Sequence, residues 1–431
     1  NASGMGNAFA GGAAIAEDAS TVWYNPAGMT RLNGQQFVFA GHFINPSFKA
    51  NINSASTANF GVFSSPIGGG GGDAGESAIV PNLYYTRPIT SDFSIGAGIN
   101  APFGLATEYD STWAGRYHAV RSEIKTVNVN FAGAYKIDSV LSVGAGINYQ
   151  RLDAELTQKV DFATLCTVGA GGAFAGVCGA APPSNSNPFN NPNDGDAKVT
   201  ADSNAWGYNL GLLAQLANDA RVGLAYRSSV KHKLKGDFDI TAPTNVPAPL
   251  LAGGGLVDST IKADVTLPST LSLSLYQELG SQWALMADVT RTNWSSLPEL
   301  RIKFDSAQGD SVVTLNLKNV YRYSVGTTYR PGGAWVFRGG IALDQSPVVN
   351  QADTTPRLPD ADRTWFSVGA GLQASPSLSF DFGFTYIKVD DPKVRKTATA
   401  AATDENRFRG NLSADYTGSV QVLSAQARWM F

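Results

Sequence analysis

The chain has 431 residues, 46 of them glycine, and a formal net charge of −3, yet Asp, Glu, Lys and Arg make up only 16% of it, against about 25% in ordinary soluble domains. No stretch approaches the roughly 18 consecutive apolar residues of a membrane-spanning helix, which excludes helical membrane proteins, and the absence of any Lys/Arg-rich tract argues against nucleic acid. With 8 Trp, 15 Tyr and 22 Phe, two classes remain: a soluble all-β protein, or a β-barrel whose lipid-facing band replaces charged surface.

Residues 1–34 come first, small and polar, with short apolar runs at Phe9-Ala10 and Ala13 to Ala16 and no alternation long enough to span a bilayer. The opening Asn1-Ala2-Ser3-Gly4 has neither the basic start nor the apolar core of a signal peptide, so the numbering is expected to begin on a processed or shortened chain. From Gln35 onward period-two alternation takes over, as in Thr270 to Tyr276, Val127 to Phe131 and Leu423 to Phe431. Fourteen strands are predicted: 35–49, 77–87, 92–101, 121–137, 140–158, 198–217, 220–239, 259–279, 281–304, 312–330, 334–346, 362–374, 377–390 and 414–431.

Tight turns at Pro88 to Ser91, Asp138-Ser139, Asn218-Asp219, Gly280-Ser281, Pro331 to Gly333 and Ser375-Pro376 alternate with long Gly/Pro/Ser-rich connections. An even strand count with short and long links in turn predicts an all-β fold: a fourteen-stranded antiparallel transmembrane barrel in a bacterial outer membrane, both termini in the periplasm. Residues 35–431 form this barrel. Residues 1–34 are either a periplasmic tail or a plug, since a barrel of this girth left empty would leak.

Cys166 and Cys178 lie in a Gly/Ala-rich stretch with Phe162, Leu165 and Phe174. They form a disulfide across a short loop in an oxidising compartment, or pack as two thiols. His42, His118 and His232 lack metal-ligand spacing, Gly68 to Gly72 precede no lysine-bearing helix, and no Ser-His pair has a recognisable setting, so neither an enzyme nor a metal or other cofactor is expected.

The run Ser3-Gly4-Met5-Gly6-Asn7-Ala8, then Ala13 to Ser20 and Asn25-Pro26-Ala27-Gly28-Met29, resembles the N-terminal hatch of the FadL-type outer-membrane transporters, which carry long-chain fatty acids or hydrocarbons into Gram-negative bacteria. The likeness continues at Pro102 to Tyr109, Tyr226-Arg227-Ser228, Tyr321-Arg322 with Gly326 to Tyr329, and Pro359 to Arg363, in order along nearly the whole chain. It implies fourteen strands around a hatch of short helices. It also implies stepwise apolar binding, which suits such cargo because burying each methylene is favourable by about 0.8 kcal/mol and release is then the difficulty.

By the same resemblance, a first groove between the third and fourth outer loops would be lined by Phe162, Leu165, Phe174, Val246, Leu250 and Leu251, and a second pocket would lie by Asn25, Pro26 and Ala27. Lys318 matches a lysine that meets the carboxylate in the fatty-acid members. A second basic position falls near Arg151 or Asp153, and Asp153 there would favour a neutral hydrocarbon. Exit would be sideways, through a break in the third strand at Pro102, Phe103 and Gly104. Family members carry further residues before the Ser-Gly-x-Gly run, which act as a movable gate, whereas this chain starts almost on the motif. The partners implied are a hydrophobic small molecule, outer-membrane lipid and lipopolysaccharide, and detergent in vitro, with the chain acting as a monomer. Long-chain fatty acids are the implied cargo; monoaromatic hydrocarbons such as toluene are the alternative, and a structural or adhesive barrel without transport is the reading from another class.

Overall fold

Strands with a greasy face and a small polar face must hide the first from water and leave no backbone group unpaired, and a closed cylinder in lipid satisfies both demands. A computed structural model describes residues 1–57, 69–168, 194–244 and 246–431, and such a cylinder is what these residues build. Its strands are β1 (Gln36–Ser56), β2 (Ala78–Pro88), β3 (Phe93–Asn100, resuming at Gly104–Glu108), β4 (Arg121–Lys136), β5 (Leu141–Asp161), β6 (Asp194–Ala217) and β7 (Ala220–Arg227 and Val230–Thr241). They continue as β8 (Ser259–Leu267 and Thr270–Leu279), β9 (Trp283–Thr292 and Glu299–Phe304), β10 (Ser311–Thr314 and Val320–Tyr329), β11 (Trp335–Asp344), β12 (Arg363–Ser375), β13 (Leu378–Val389 and Lys393–Lys396) and β14 (Asn411–Met430).

Among the described residues these make the fourteen strands that the alternation predicts, each antiparallel to the next. The cylinder closes where β1 pairs with β14 from Gln36↔Met430 to Ser56↔Asn411. Strands run further on the long-loop side than the sequence suggests: β1 reaches Ser56 and β6 starts at Asp194. Facing out are Phe39, Ile99, Phe131, Ile147, Leu212, Leu273, Leu285, Val325, Val368, Phe382 and Leu423, each exposed. In water this band would be a large unfavourable surface; in hydrocarbon it is the outer wall.

Residues 1–34 fold into the lumen as α1 (Ala2–Gly6), α2 (Thr21–Tyr24) and a 3-10 turn (Pro26–Arg31). α1 lies against β11 to β14, and the 3-10 turn lies against β4 to β6. Small wall residues admit it. A Cβ on Gly223 of β7 would collide with the carbonyl of Ala13, and one on Gly211 of β6 with the Asn25 side chain.

Candidate functional site

Three features combine into a candidate passage. The first is a cavity of about 1230 Å³ on the long-loop side, between the upper ends of β5 to β10, the helical turns α3 (Phe162–Val168) and α4 (Ala248–Gly253), and residues 402–409. Its apolar wall includes Leu156, Val199, Phe238, Ile240, Ile302 and Phe304, with Phe238 and Phe304 edge to face at 4.8 Å between centroids. Such a volume exceeds the roughly 300–1,000 Å³ of ordinary ligand pockets.

Charged groups line it as well, Asp404 and Glu405 among them. Arg301 is held by Glu299 at 2.6 Å and Asp310 at 3.1 Å. Arg357 comes from the connection between β11 and β12. Its Nη1 donates to Ser122 Oγ at 3.0 Å and to the Arg121 and Thr157 carbonyls at 3.3 Å each, and its Nη2 donates to Gln158 Oε1 at 2.8 Å. Burial, with repulsion from Arg409, lowers its pKa to about 9.

The second feature is a break in the wall. β3 pairs with β2 from Pro88↔Ser94 to Leu83↔Ile99 and stops. Above that point Ala78 to Asn82 keep their β1 partners, but on the β3 side the next pairing is the single bridge Gly75↔Thr107. Toward β4 the register passes from Asn100↔Asn128 to Gly104↔Lys125, so three residues of β3 face two of β4, which is a bulge that bends the strand. Thr126 Oγ1 pins it, accepting from Phe103 N–H at 2.9 Å and donating to Phe103 O at 2.7 Å. Pro102 and Pro81 across the gap have no N–H to close a ladder. Phe103 meets Trp294 edge to face at 6.1 Å and packs on the same apolar cluster that holds Phe238 and Ile302. Cavity wall and wall break are therefore continuous apolar surface.

The hatch is the third. Asn25 is fully buried; its Nδ2 donates to the carbonyls of Ala13 (2.7 Å) and Leu212 (2.9 Å), and its Oδ1 accepts from Ala27 N–H (3.1 Å). Pro26 supplies the fixed φ that opens the 3-10 turn. The space among Asn1, Phe9, Ile15 and Tyr24 is only about 30 Å³, enough for one water.

The residues singled out from the sequence divide accordingly. Leu165 and Leu250 line the large cavity, while Phe162, Val246 and Cys166 are buried behind them with Leu251 partly buried alongside. Phe174 and Cys178 lie outside the described residues, and with Cys178 the expected bridge. Asn25, Pro26 and Ala27 are buried fasteners between hatch and wall and do not line the cavity. Arg151 points outward, opposite buried Gln150 and Leu152, and pairs with Asp153 at 2.7 Å and Asp202 at 3.5 Å. Lys318 is exposed in the gap between the two halves of β10. The resemblance points to Lys318, with a second position near Arg151 or Asp153, for meeting a carboxylate; none of these lines the cavity, whose cations include Arg357 and Arg409. Those two stand in loops without periodicity, so no pattern pointed to them, whereas Pro81 and Thr126 could have been suspected from Pro in a strand and Thr opposite a bulge.

Comparison with known proteins gives a consistent result. A family described as outer membrane protein transport protein (OMPP1/FadL/TodX) matches residues 1–431. Outer membrane protein P1 of Haemophilus influenzae is 31% identical over 430 residues, covering 97% of this chain and 91% of the relative. The long-chain fatty acid transport protein of Escherichia coli K12 is 31% identical over 413 residues, covering 92% and 88%. Among solved structures, a Pseudomonas aeruginosa FadL homologue superposes with a TM-score of 0.87 at 25% identity, covering 100% of this chain and 98% of that one.

Proposed function

The chain belongs to the OMPP1/FadL/TodX family of bacterial outer-membrane β-barrels, non-enzymatic transporters of hydrophobic compounds, and from that membership we propose that it takes up long-chain fatty acids, passing them from the outer cavity to the break in β3 and sideways into the bilayer. The observation that carries this reading is the joining of a large apolar cavity to an unpaired stretch of wall through Phe103, above a lumen filled by residues 1–34.

Each step follows from transfer free energy. A fatty acid entering the cavity leaves water, at about 0.8 kcal/mol gained per methylene. An aqueous pore would give no such gain. Travel along continuous apolar surface keeps the chain dry, and hydrocarbon beyond the β2/β3 gap is as favourable as the cavity, so release needs no energy source. The long-loop end with the cavity faces outward, and the short-turn end, where Phe431 N–H meets Gln35 O at 2.9 Å, faces the periplasm with both termini.

The test is uptake of labelled oleate by a strain lacking its own transporter. The unaltered chain restores uptake. Removing one residue from Ala101 to Phe103, which brings β3 and β4 into a single register, abolishes it while leaving a folded barrel. Full uptake by that variant would overturn the sideways route, and no uptake by the unaltered chain, with toluene entering instead, would overturn the choice of substrate.

A further inference from the structure

We propose that Arg357, backed by Arg409, is a carboxylate-binding subsite of the outer cavity, one that selects acids over neutral oils of equal length. The inference rests on the fatty-acid reading above and assigns the head group a place within it.

Arg357 is 8% exposed, and its four hydrogen bonds among the described residues all end on neutral oxygens: a hydroxyl, two carbonyls and an amide. A buried guanidinium with no counter-charge is unfavourable. Among the described residues several other arginines have an acidic partner. Buried Arg116 faces Asp194, Arg338 faces Asp381 and Glu17, and Arg363 faces Asp344 and Asp360. Among the described residues Arg221 and Arg227 also lack an ion pair, but they lie on the ring faces of Tyr276 and Trp23, away from the cavity. Arg357 has no ion pair among the described residues, and residues 58–68, 169–193 and 245 contain no Asp or Glu that could supply one.

Arg409 adds to the imbalance. It donates to Val312 O at 2.9 Å and Ser311 Oγ at 3.0 Å. Asp404 and Glu405 beside it partly offset its charge, but neither makes an ion pair with it: Glu405 accepts from Thr314 N–H at 2.7 Å and lies 3.9 Å from Lys396, and Asp404 accepts from the backbone of Thr399 and Asn406. Both arginines line the cavity together with apolar Leu156, Phe238 and Phe304. Two guanidiniums beside a greasy wall match a carboxylate at the end of an alkyl chain, and the bonds that Arg357 donates to Ser122 and Gln158 hold its plane in place for it. A neutral oil would gain the wall but leave Arg357 unanswered.

The experiment compares laurate with 1-dodecanol, binding to the purified full chain in lipid-free detergent at pH 7.5. Arg357→Gln lowers laurate affinity by about 10- to 100-fold and changes dodecanol affinity by less than about threefold, while Arg357→Lys recovers part of the laurate loss. Arg409→Gln, read in the same way, serves if Arg357→Gln fails to fold, and must show the same preferential loss of laurate. An unchanged laurate affinity, or an equal fall for both ligands, would overturn the subsite and leave the fatty-acid reading standing. Binding of neither ligand by the unaltered chain would overturn that reading, and the subsite with it.

Discussion

Replacing Asn25 with alanine isolates what holds the hatch in its folded form. The side chain makes three hydrogen bonds in a fully buried position, to Ala13 O, Leu212 O and Ala27 N–H. Loss of the last is loss of a helix cap, about 1 kcal/mol. Loss of the bond to Ala13 O removes a partner from a buried carbonyl, about 1–3 kcal/mol. Leu212 O lies within the β6 ladder and adds little. The sum is about 2–4 kcal/mol, and because Ala13, Asn25 and Ala27 all belong to residues 1–34 it falls on the folding of the hatch itself, while the strands keep their own pairing. At 1.4 kcal/mol per decade this raises the open population of the hatch about 30- to 1,000-fold. Hydrogen exchange followed by mass spectrometry reads it directly: amides in residues 1–34 exchange faster by that factor, and those of β12 to β14 do not. Unchanged exchange in residues 1–34, or equal acceleration in the barrel, would refute the assignment of Asn25 as a fastener.

Three further outcomes follow from the same geometry. Gly223→Val puts a side chain into the Ala13 backbone; overpacking of about 1–3 kcal/mol or more pushes the hatch away, and planar-bilayer recordings show larger or more frequent openings. Trp113 is fully buried, stacked on Tyr109 at 4.0 Å and donating to Ala119 O at 2.7 Å, so Trp113→Ala destabilises residues 109–119 by about 3–5 kcal/mol, and limited proteolysis cuts there while the barrel stays intact. His118 is buried beside Arg409, Lys396 and Arg357, and desolvation first, then these charges, lowers its pKa from 6.5 to about 3, against a bond to Gly410 O. A depressed histidine stabilises the fold fully above pH 6.5, and the contribution is lost on acidification toward pH 3 at up to about 1.4 kcal/mol per pH unit. Proteolysis of residues 109–120 is therefore faster at pH 4.5 than at pH 7, and His118→Gln removes the difference this residue makes.

The strands were legible because a two-sided wall writes its period into the sequence; the faces were less so. Read as one strand, 259–279 would put Ile261, Val265, Leu271 and Leu273 on the same side. In the fold Leu271 and Leu273 face lipid, while Ile261 and Val265 are buried inside the cylinder. The break at Pro268-Ser269 separates the two halves, and it lies opposite Ser228-Ser229 of β7, where Leu224 outside and Leu234 inside show the same reversal. Alternation records that a segment is a strand and nothing about a one-residue change of side partway along it. Proline without an N–H was the available sign. Arg357 left no sign of this kind, because its neighbours Ser122, Thr157 and Gln158 come from two other strands and only the closed cylinder brings them to one place.

Axial and sideways routes can be weighed by what each must break. Helices as short as α1 and α2 leave most of their backbone groups without intrahelical partners, and the wall supplies them. Gln426 Oε1 accepts from Ala2 N–H at 3.0 Å, Ser274 Oγ accepts from Ala13 N–H at 3.0 Å, Arg322 donates to Ala8 O at 3.2 Å and Arg428 donates to Glu17 O at 2.8 Å. Moving the hatch out of the lumen would sever these bonds together with that from Asn25 to Leu212 O, and each is worth about 1 kcal/mol or more when its partner stays buried. The β2/β3 gap requires no such rupture, since Ala78 to Asn82 already lack β3 partners. On the proposed route an oily molecule resting against Phe103 would have a low-barrier exit into lipid and a high-barrier one into water, and the direction of transport would follow from that difference without any coupled source of energy.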